Sequence, residues 1–322
     1  MDRRSLARGM AAASVALVTG LAHGDAAWPS RAVRVVVPFP PGGATDLAAR
    51  VITERLQAQF GQPFIVENRG GGGGQIGTEQ VSKARPDGHT LLFTNSGTLS
   101  YAQVTSRLNY APQKDFSAIA LVGTYSLILV VHPAVPATNL QELVAHARRL
   151  PGKLNYSSSG MGSGTQFAGE LFKQSTGTSI VHVPYKGAAP ALQDVVAGQV
   201  EMTFDAQAVP HVLAGRLRAL GVTGRQRDPR LPQVPTLAEL GLRDFNVEAF
   251  LALLGPAGLP ADIVARLNAT VNAALGEERV RQRLFELGVV LGGGAPEGVM
   301  TQMAADTEAY RRIAGEARLK FD

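Results

Sequence analysis

The stretch V-R-V-V-V-P-F-P-P-G-G-A-T-D-L, residues 33–47, runs from a β-branched segment through a turn rich in proline and glycine to a helix start at Thr45 and Asp46. This order predicts a strand, a tight turn and a helix N-terminus. The free N–H groups and the dipole of a helix N-terminus attract an anion, and glycines at 42 and 43 let a carboxylate approach the backbone. A tight connection without a ligand would have the same pattern, so both interpretations stay open for this stretch alone.

Strand and helix patterns alternate along the rest of the chain, which predicts an α/β fold with mostly parallel sheets flanked by helices. Two chain crossings predict a first domain of residues 27–124 plus 226–322 and a second domain of residues 125–225. The apolar run Tyr125–Val131 is predicted as one strand, and the charged, proline-rich stretch 225–235 as a linker over the surface. Periodicity alone also allows a three-domain chain.

The first 26 residues have the pattern of a secretory signal peptide. Arg3, Arg4 and Arg8 precede an apolar run at 10–22, and small residues follow it. The run is too short to anchor the chain permanently in a bilayer, although a buried N-terminal helix is an alternative. The match to a twin-arginine signal is partial, so the export route stays open. We predict cleavage near residue 26 and a protein that is free in the periplasm.

The composition excludes several classes of protein. The chain has 322 residues, of which 45% are hydrophobic, and no cysteine. It can therefore bury a full core, but it cannot form a disulfide scaffold, a thiolate metal site or a lipid-modified cysteine. The formal net charge of +5 is mild, and no cluster of basic and aromatic residues indicates a nucleic-acid partner.

The sequence contains no enzyme motif, and we expect no catalytic residue, cofactor or metal. The loop Ser159–Gly164 lacks the G-x-S-x-G spacing of a nucleophile elbow. The five glycines at 70–74 lack the lysine of a phosphate-binding P-loop. The histidines after residue 26 lack the spacing of metal ligands. These histidines are His89, His132, His146, His182 and His211.

The candidate site is a set of short polar loops that follow predicted strands. Ligands of open α/β sheets bind beyond the carboxyl ends of the strands, so these loops should face one cleft between the domains. A second glycine-rich loop, S-S-S-G-M-G-S-G-T at 157–165, opens a helix as the first does, and the two N-termini would hold a carboxylate from both sides. Asp205 could accept a hydrogen bond from a ligand amine or hydroxyl, or it could cap the next helix. The predicted ligand-binding residues are Phe39, Pro40, Gly42, Gly43, Thr45, Asp46, Asn95, Ser96, Ser158, Ser159, Gly160, Gly164, Thr165 and Asp205.

Five segments together carry a family resemblance that none carries alone. They are P-F-P-P-G-G-A-T-D-L-A-A-R at 38–50, V-E-N-R-G-G-G-G-G-Q-I-G at 66–77, A-R-P-D-G-H-T-L-L at 84–92, P-Y-K-G-A-A-P-A-L-Q-D-V-V-A-G-Q-V at 184–200 and P-H-V-L-A-G-R-L-R-A-L-G-V-T at 210–223. In these segments the chain resembles the Bug family, the periplasmic substrate-binding proteins of tripartite tricarboxylate transporters.

The resemblance implies a two-domain, type II periplasmic-binding-protein fold that closes on a small carboxylate. It implies that the loops 39–46 and 158–165 pinch this carboxylate, partly through bound waters. It also implies that Asp205 helps to select the far end of the ligand.

Two departures from the family pattern lie beside these loops. Members often have histidine where Gln166 stands, and asparagine-proline followed by leucine-tyrosine where this chain has Tyr101-Ala102 and Val104-Thr105. Both changes leave the carboxylate loops intact, but the identity of a relative's substrate does not transfer to this chain.

We therefore predict a monomeric periplasmic receptor that captures a small organic carboxylate by domain closure and delivers it to the membrane subunits of a tripartite tricarboxylate transporter. A ligand-sensing partner of a membrane sensor kinase would need the same closed surface and stays an alternative. An exported enzyme on the same fold is a third interpretation. The sequence leaves the ligand open among tricarboxylates, dicarboxylates, amino acids and aromatic acids.

Overall fold

The structure is a computed structural model that describes residues 28–316 and 318, so the predicted signal peptide lies outside the described residues. The strands are β1 (Val33–Val37), β2 (Phe64–Asn68), β3 (Thr90–Asn95), β4 (Phe116–Ser126), β5 (Ile128–Val131), β6 (Asn155–Ser158), β7 (Val181–Pro184), β8 (Met202–Phe204), β9 (Arg218–Val222), β10 (Glu248–Pro256) and β11 (Val290–Leu291). The helices are α1 (Ala44–Phe60), α2 (Gln75–Ser82), α3 (Ala102–Thr105), α4 (Leu140–Arg149), α5 (Gly164–Thr176), α6 (Ala188–Val196), α7 (Val209–Leu213), α8 (Ala261–Gly276), α9 (Glu278–Glu286) and α10 (Glu297–Glu316). None of these helices has both the length and the apolar character that a membrane span requires.

The strands form two mixed sheets, one in each of two lobes. The first lobe contains six strands in the order β2-β1-β3-β10-β4-β11, and the second contains five in the order β7-β6-β8-β5-β9. The α/β fold with two sheets is confirmed. Parallel pairing, which we expected for most strands, is limited to β1 with β2 and β3 and to β6 with β7 and β8. The other pairs are antiparallel, and each includes β5, β10 or β11.

Each sheet packs apolar side chains on both of its faces. In β1, Val35 and Val37 point into the main core with residues of α1, whereas Val36 points to the opposite face and packs with residues of α10. Successive residues of Ile128–Val131 in β5 divide in the same way between two clusters. A strand that is buried on both faces has a continuous apolar sequence, and for this reason the valine run at the start of the chain marks an interior strand.

The chain crosses from the first sheet to the second at Leu127. Because β4 ends at Ser126 and β5 begins at Ile128, the prediction of one strand over Tyr125–Val131 is wrong. The apolar run continues through the change of sheet, and no turn residue marks it. The strand β4, which precedes this crossing, has no counterpart among the predicted elements.

Thr223 ties together the three segments that pass between the lobes. Its N–H donates to the Leu127 carbonyl and its Oγ1 accepts from the Leu127 N–H, both at 2.9 Å. The same hydroxyl donates to the Val247 carbonyl at 2.5 Å, and the Val247 N–H donates to the Thr223 carbonyl at 3.0 Å. Thr223 is fully buried, so no water can replace these partners.

The predicted surface linker 225–235 is partly buried. Leu231 and Val234 pack in a core cluster of the second lobe. Arg230 and Asp228 form an ion pair whose side chains are 7% and 4% exposed, and the Arg230 guanidinium also donates to the carbonyls of Ala206 and Glu286. The expectation of a surface linker is therefore wrong for these residues, because the ion pair and the two hydrogen bonds to backbone carbonyls offset the cost of burying the charges. The domain boundaries at 125 and 225 stay a prediction.

We expect Thr223→Val to destabilise the fold. The change keeps the shape of the side chain but leaves a buried N–H on Leu127 and a buried carbonyl on Val247 with one partner fewer, which should lower the free energy of unfolding by about 2 kcal/mol. Urea unfolding measures this change. Thr301→Val is the matched control, because the Thr301 hydroxyl donates to the Glu297 carbonyl on an exposed helix face where water can replace it. Equal effects of the two substitutions would contradict the role of Thr223.

Candidate functional site

Two adjoining cavities lie between the lobes, beyond the carboxyl ends of β1, β3, β6 and β8. The space free of protein atoms, including the part that is open to solvent, is about 520 Å³ in the larger and about 350 Å³ in the smaller. We call them together the site cavity. The residues that line both parts are Phe39, Asn95, Tyr125, Leu127, Ser159 and Thr165.

The structure brings most of the predicted site residues to this cavity. Those in its lining are Phe39, Pro40, Gly43, Thr45, Asp46, Asn95, Ser159, Gly164, Thr165 and Asp205. The other four do not line it and are Gly42, Ser96, Ser158 and Gly160. Ser96 is fully buried, and the Ser158 hydroxyl bonds to His182 Nε2 at 2.6 Å behind the second loop. The assignment of ligand-binding roles to these residues stays a prediction.

The first loop, residues 39–46, leads into α1, and Asp46 holds it in shape. Asp46 lies in the first turn of α1, where its carboxylate accepts from the Gly42 N–H at 2.9 Å, from Arg50 at 2.9 and 3.1 Å and from Asn68 at 2.9 Å. Burial alone would raise the pKa of Asp46, but these hydrogen bonds bring the pKa below its ordinary value. The carboxylate is thus neutralised by protein partners, and its role here is to support the loop.

The N-terminus of α1 has no side-chain cap. Gly43 is the N-cap residue in an extended conformation, and no side chain accepts a hydrogen bond from the first turn. The N–H groups of a first helical turn lack acceptors within the helix. Gly43, Ala44 and Thr45 line the site cavity, so this turn is available to a polar group in the cavity.

Asn95, at the end of β3, positions two other lining side chains. Its Nδ2 donates to Thr45 Oγ1 at 2.8 Å and to the Tyr125 hydroxyl at 3.3 Å. Its Oδ1 accepts from the Gly97 N–H at 2.8 Å. These three hydrogen bonds all lie within the first lobe, and they hold Thr45 and Tyr125 at the cavity wall.

The second loop, residues 158–165, leads from β6 into α5, and hydrogen bonds of its own hydroxyl groups hold it in shape. Ser163 caps α5 by accepting from the Gln166 N–H, and its hydroxyl donates to the Gly160 carbonyl at 2.6 Å. Thr165 Oγ1 accepts from the Ser159 N–H at 2.8 Å. The loop is thus held in shape by hydrogen bonds among its own residues. Gly164 and Thr165, in the first turn of α5, line the cavity.

Two helix N-termini, one from each lobe, therefore line one cavity. Within the described part of the chain, the lining contains no lysine, arginine or histidine. Residues 28–316 also contain no group of three histidine, aspartate or glutamate side chains that could hold a metal ion. An anion in this cavity would be held by N–H and O–H dipoles and by two helix dipoles, without a neighbouring cation.

Asp205 lies at another wall of the cavity and has two roles in the geometry. Its carboxylate accepts from the Gln207 N–H at 2.6 Å and caps the short helical turn Ala206–Ala208. It also lines the cavity, although it is only 4% exposed. Burial raises the pKa of Asp205 to about 7, against which the hydrogen bond from Gln207 acts only weakly. Both interpretations that the sequence left open thus agree with its position.

Sequence reasoning missed several residues of the lining. Tyr125 and Leu127 lie at the crossing between the sheets, which the sequence presented as the interior of one strand. Burial, followed by the nearby Asp205 carboxylate, raises the pKa of Tyr125 to about 12, so its hydroxyl stays protonated. Gln207 lies two residues after Asp205, and a polar residue shortly after a strand was the signal that could have found it.

The two departures from the family pattern also have a place in the structure. The Tyr101 ring packs against Gly164 and lines the smaller part of the cavity. Its hydroxyl donates to the Glu248 carbonyl at 2.7 Å, beside Tyr310. Gln166 Oε1 accepts from the Gly162 N–H at 2.6 Å. Both residues therefore shape the second loop.

Comparison with known proteins places the chain in a family. The family model described as "Tripartite tricarboxylate transporter family receptor" matches residues 48–312. Protein BugT of Bordetella pertussis (strain Tohama I) is 32% identical to this chain over 298 residues, which are 91% of each protein.

Solved structures agree in fold over nearly the whole chain. R. palustris Rpa4515 with adipate has a TM-score of 0.88 and 36% identity, and the match covers 91% of this chain and 99% of that one. MatC from Rhodopseudomonas palustris with bound malate has a TM-score of 0.85 and 36% identity, with 88% and 99% covered. The resemblance to the Bug proteins is confirmed, and the chain belongs to the tripartite tricarboxylate transporter receptor family as a solute-binding protein.

Proposed function

We propose that this receptor captures a small organic carboxylate in the site cavity and delivers it to the membrane subunits of a tripartite tricarboxylate transporter. The observation that carries the proposal is a pair of helix N-termini on opposite sides of one cavity. The N-terminus of α1 has no side-chain cap, and that of α5 is capped by the Ser163 hydroxyl. The presence of adipate in Rpa4515 and of malate in MatC supports the same ligand class.

In this mechanism the protein binds its ligand without changing it. The carboxylate lies between Gly43–Thr45 of the first lobe and Ser159–Thr165 of the second, so it is held only when the lobes are closed. The Phe39 ring, half-buried in the cavity wall, covers the apolar part of the ligand. Asp205 contacts the far end, where it can donate a proton as an acid or accept one as a carboxylate.

Periplasmic location follows from the same proposal. The signal pattern of residues 1–26 would direct export, and a chain without cysteine has no site for a thioether-linked lipid anchor. The receptor would then act as a free monomer that opens and closes in the periplasm.

A thermal-shift screen tests the carboxylate requirement. We expect adipate, malate or a related small acid to raise the melting temperature by several degrees, since a hundredfold excess over the dissociation constant stabilises the folded state by about 2.7 kcal/mol. The corresponding amides should have no effect, because they lack the charge that the helix N-termini attract. Denaturation followed by mass spectrometry first shows whether the purified protein already holds a ligand. A protein that is ligand-free and responds to no acid, or responds equally to the amides, would overturn the proposal.

Gly43→Leu should abolish the response to the acid while the protein stays folded. A Cβ on Gly43 would lie 3.8 Å from the Ala188 Cβ, so the backbone tolerates a side chain, but the leucine would fill the space at the α1 N-terminus. Calorimetric titration measures the affinity. Gly276→Leu is the control, since a Cβ there meets nothing within 4 Å, and it should bind as the unchanged protein does. Normal binding by a folded Gly43→Leu variant would place the carboxylate elsewhere.

The pH dependence of binding tests the role of Asp205. Its pKa of about 7 means that Asp205 is an acid below neutral pH and can donate to the second carboxylate of a ligand such as adipate. Above that pH it is ionised and repels this group, so we expect the affinity for adipate to fall as pH rises through 7. Asp205→Asn keeps the shape and the cap, and its affinity should not change with pH. If the affinity of Asp205→Asn for adipate still falls as pH rises, the pH dependence belongs to another group.

Stability of the ligand-free protein checks that Asp205 is the titrating group. Its pKa of about 7 in the folded protein exceeds the ordinary value of 3.8, so Asp205 loses its proton at a lower pH in the unfolded chain than in the folded protein. The contribution of Asp205 to stability is therefore fully present below pH 3.8 and is lost as pH rises to about 7. The same loss should be absent in Asp205→Asn.

A further inference from the structure

The five-glycine loop Gly70–Gly74 connects β2 to α2 and has no role in the ligand contacts described above. Gly71, Gly72, Gly73 and Gly74 all have positive φ, between 57° and 129°. This conformation permits a compact turn, but one glycine would often suffice for it, or an asparagine. The need for four successive residues without a Cβ therefore requires a second explanation.

The tip of the loop touches the second lobe. A Cβ placed on Gly73 would overlap the Met161 carbonyl oxygen, far inside the 3.0 Å that real Cβ atoms keep from other heavy atoms. From the other side, a Cβ on Gly160 would lie 3.8 Å from the Gly73 Cα. Backbone therefore meets backbone across the cleft. Gly72, its neighbour, is exposed, and a Cβ there would make only ordinary contacts of 3.8–3.9 Å with its own lobe.

Met161 lies in the second loop, so Gly73 contacts the loop that lines the site cavity. Gly160 on one side of Met161 accepts from the Ser163 hydroxyl, and Gly162 on the other side donates to Gln166. Both partners belong to the start of α5. The carbonyl against which Gly73 packs is thus rigidly connected to the helix N-terminus that lines the cavity.

The first lobe has a matching connection. Gly74 packs so closely on Phe39 that a Cβ would lie 2.9 Å from the ring. Pro40, next to Phe39, meets Gly187 of the second lobe, where a Cβ would lie 2.8 Å from the proline Cγ. A glycine therefore permits the close approach at each of these contacts, and the loop lies directly behind one wall of the cavity.

We propose that Gly73 is a positioning residue for ligand capture: its contact with the Met161 backbone sets how closely the lobes approach and thereby the distance between the two helix N-termini. The inference rests on the proposed function, because it assigns the contact to closure on the carboxylate. A Cβ at this position would act as a wedge that keeps the α5 N-terminus away from α1 without touching the ligand.

Gly73→Ala and Gly72→Ala form a matched pair of variants. Both place alanine at a positive φ in the same loop, at φ values of 64° and 57°, so their intrinsic backbone strain is alike. We expect similar melting temperatures without ligand, but an affinity for adipate or malate about tenfold weaker in Gly73→Ala than in Gly72→Ala. Gly73→Asn against Gly72→Asn repeats the comparison with a residue that tolerates the left-handed region.

A distance measurement tests the wedge without depending on the ligand. Because the chain has no cysteine, single cysteines at the exposed positions Gln80 and Lys153, one in each lobe, can carry spin labels in the full protein. We expect a longer distance between the labels in Gly73→Ala than in Gly72→Ala, with and without added acid. Identical distances and affinities in the two variants would overturn the inference. If the unchanged protein binds no acid, the proposed function fails, and the label distances still decide the role of Gly73.

Discussion

The arrangement of the two lobes depends on the hydrogen bonds that Thr223 makes where the chain passes between the sheets. A single buried residue joins the end of β9 to Leu127 and Val247, the residues that lead into β5 and β10. Under the proposed function, closure would move the lobes about this crossing while Thr223 keeps its backbone partners, as a hinge requires.

A second constraint follows from the proposed function: the cavity would have to attract an anion without a buried cation in its lining. An unpaired lysine or arginine in a closed cleft would be costly whenever the ligand is absent, whereas helix N-termini are neutral and cost little when empty. The buried charge of Asp46 in the first lobe is fully partnered, since its carboxylate accepts hydrogen bonds from Arg50, Asn68 and the Gly42 N–H. The Asp205 carboxylate accepts only from the Gln207 N–H among the described residues. It is consequently the residue of the cavity whose charge depends most on its surroundings.

Sequence patterns predicted the elements that end at the site, because their signals are local. The valine run, the glycines at 42 and 43 and the serine-rich loop each mark a strand, a turn or a helix start within a few residues. The change of sheet at Leu127 could not be predicted in this way, since an apolar residue between two strands looks the same whether or not the sheet changes. The burial of Arg230 and Asp228 was missed for a similar reason: charged residues are expected to be exposed, and the carbonyls of Ala206 and Glu286 that accept from Arg230 are distant in sequence.

The far end of the cleft contains hydrogen bonds that an opening of the lobes would break. Arg230 and Gln207 donate to the carbonyls of Glu286 and Leu287, where α9 ends. These carbonyls are the groups that a helix leaves for water when no donor is near. Under the proposed function, water would replace the protein donors at these carbonyls when the lobes part, and it would offset part of the lost hydrogen bonding. Arg230 would keep its ion pair with Asp228, two residues away in the same segment, so its charge stays paired in both arrangements.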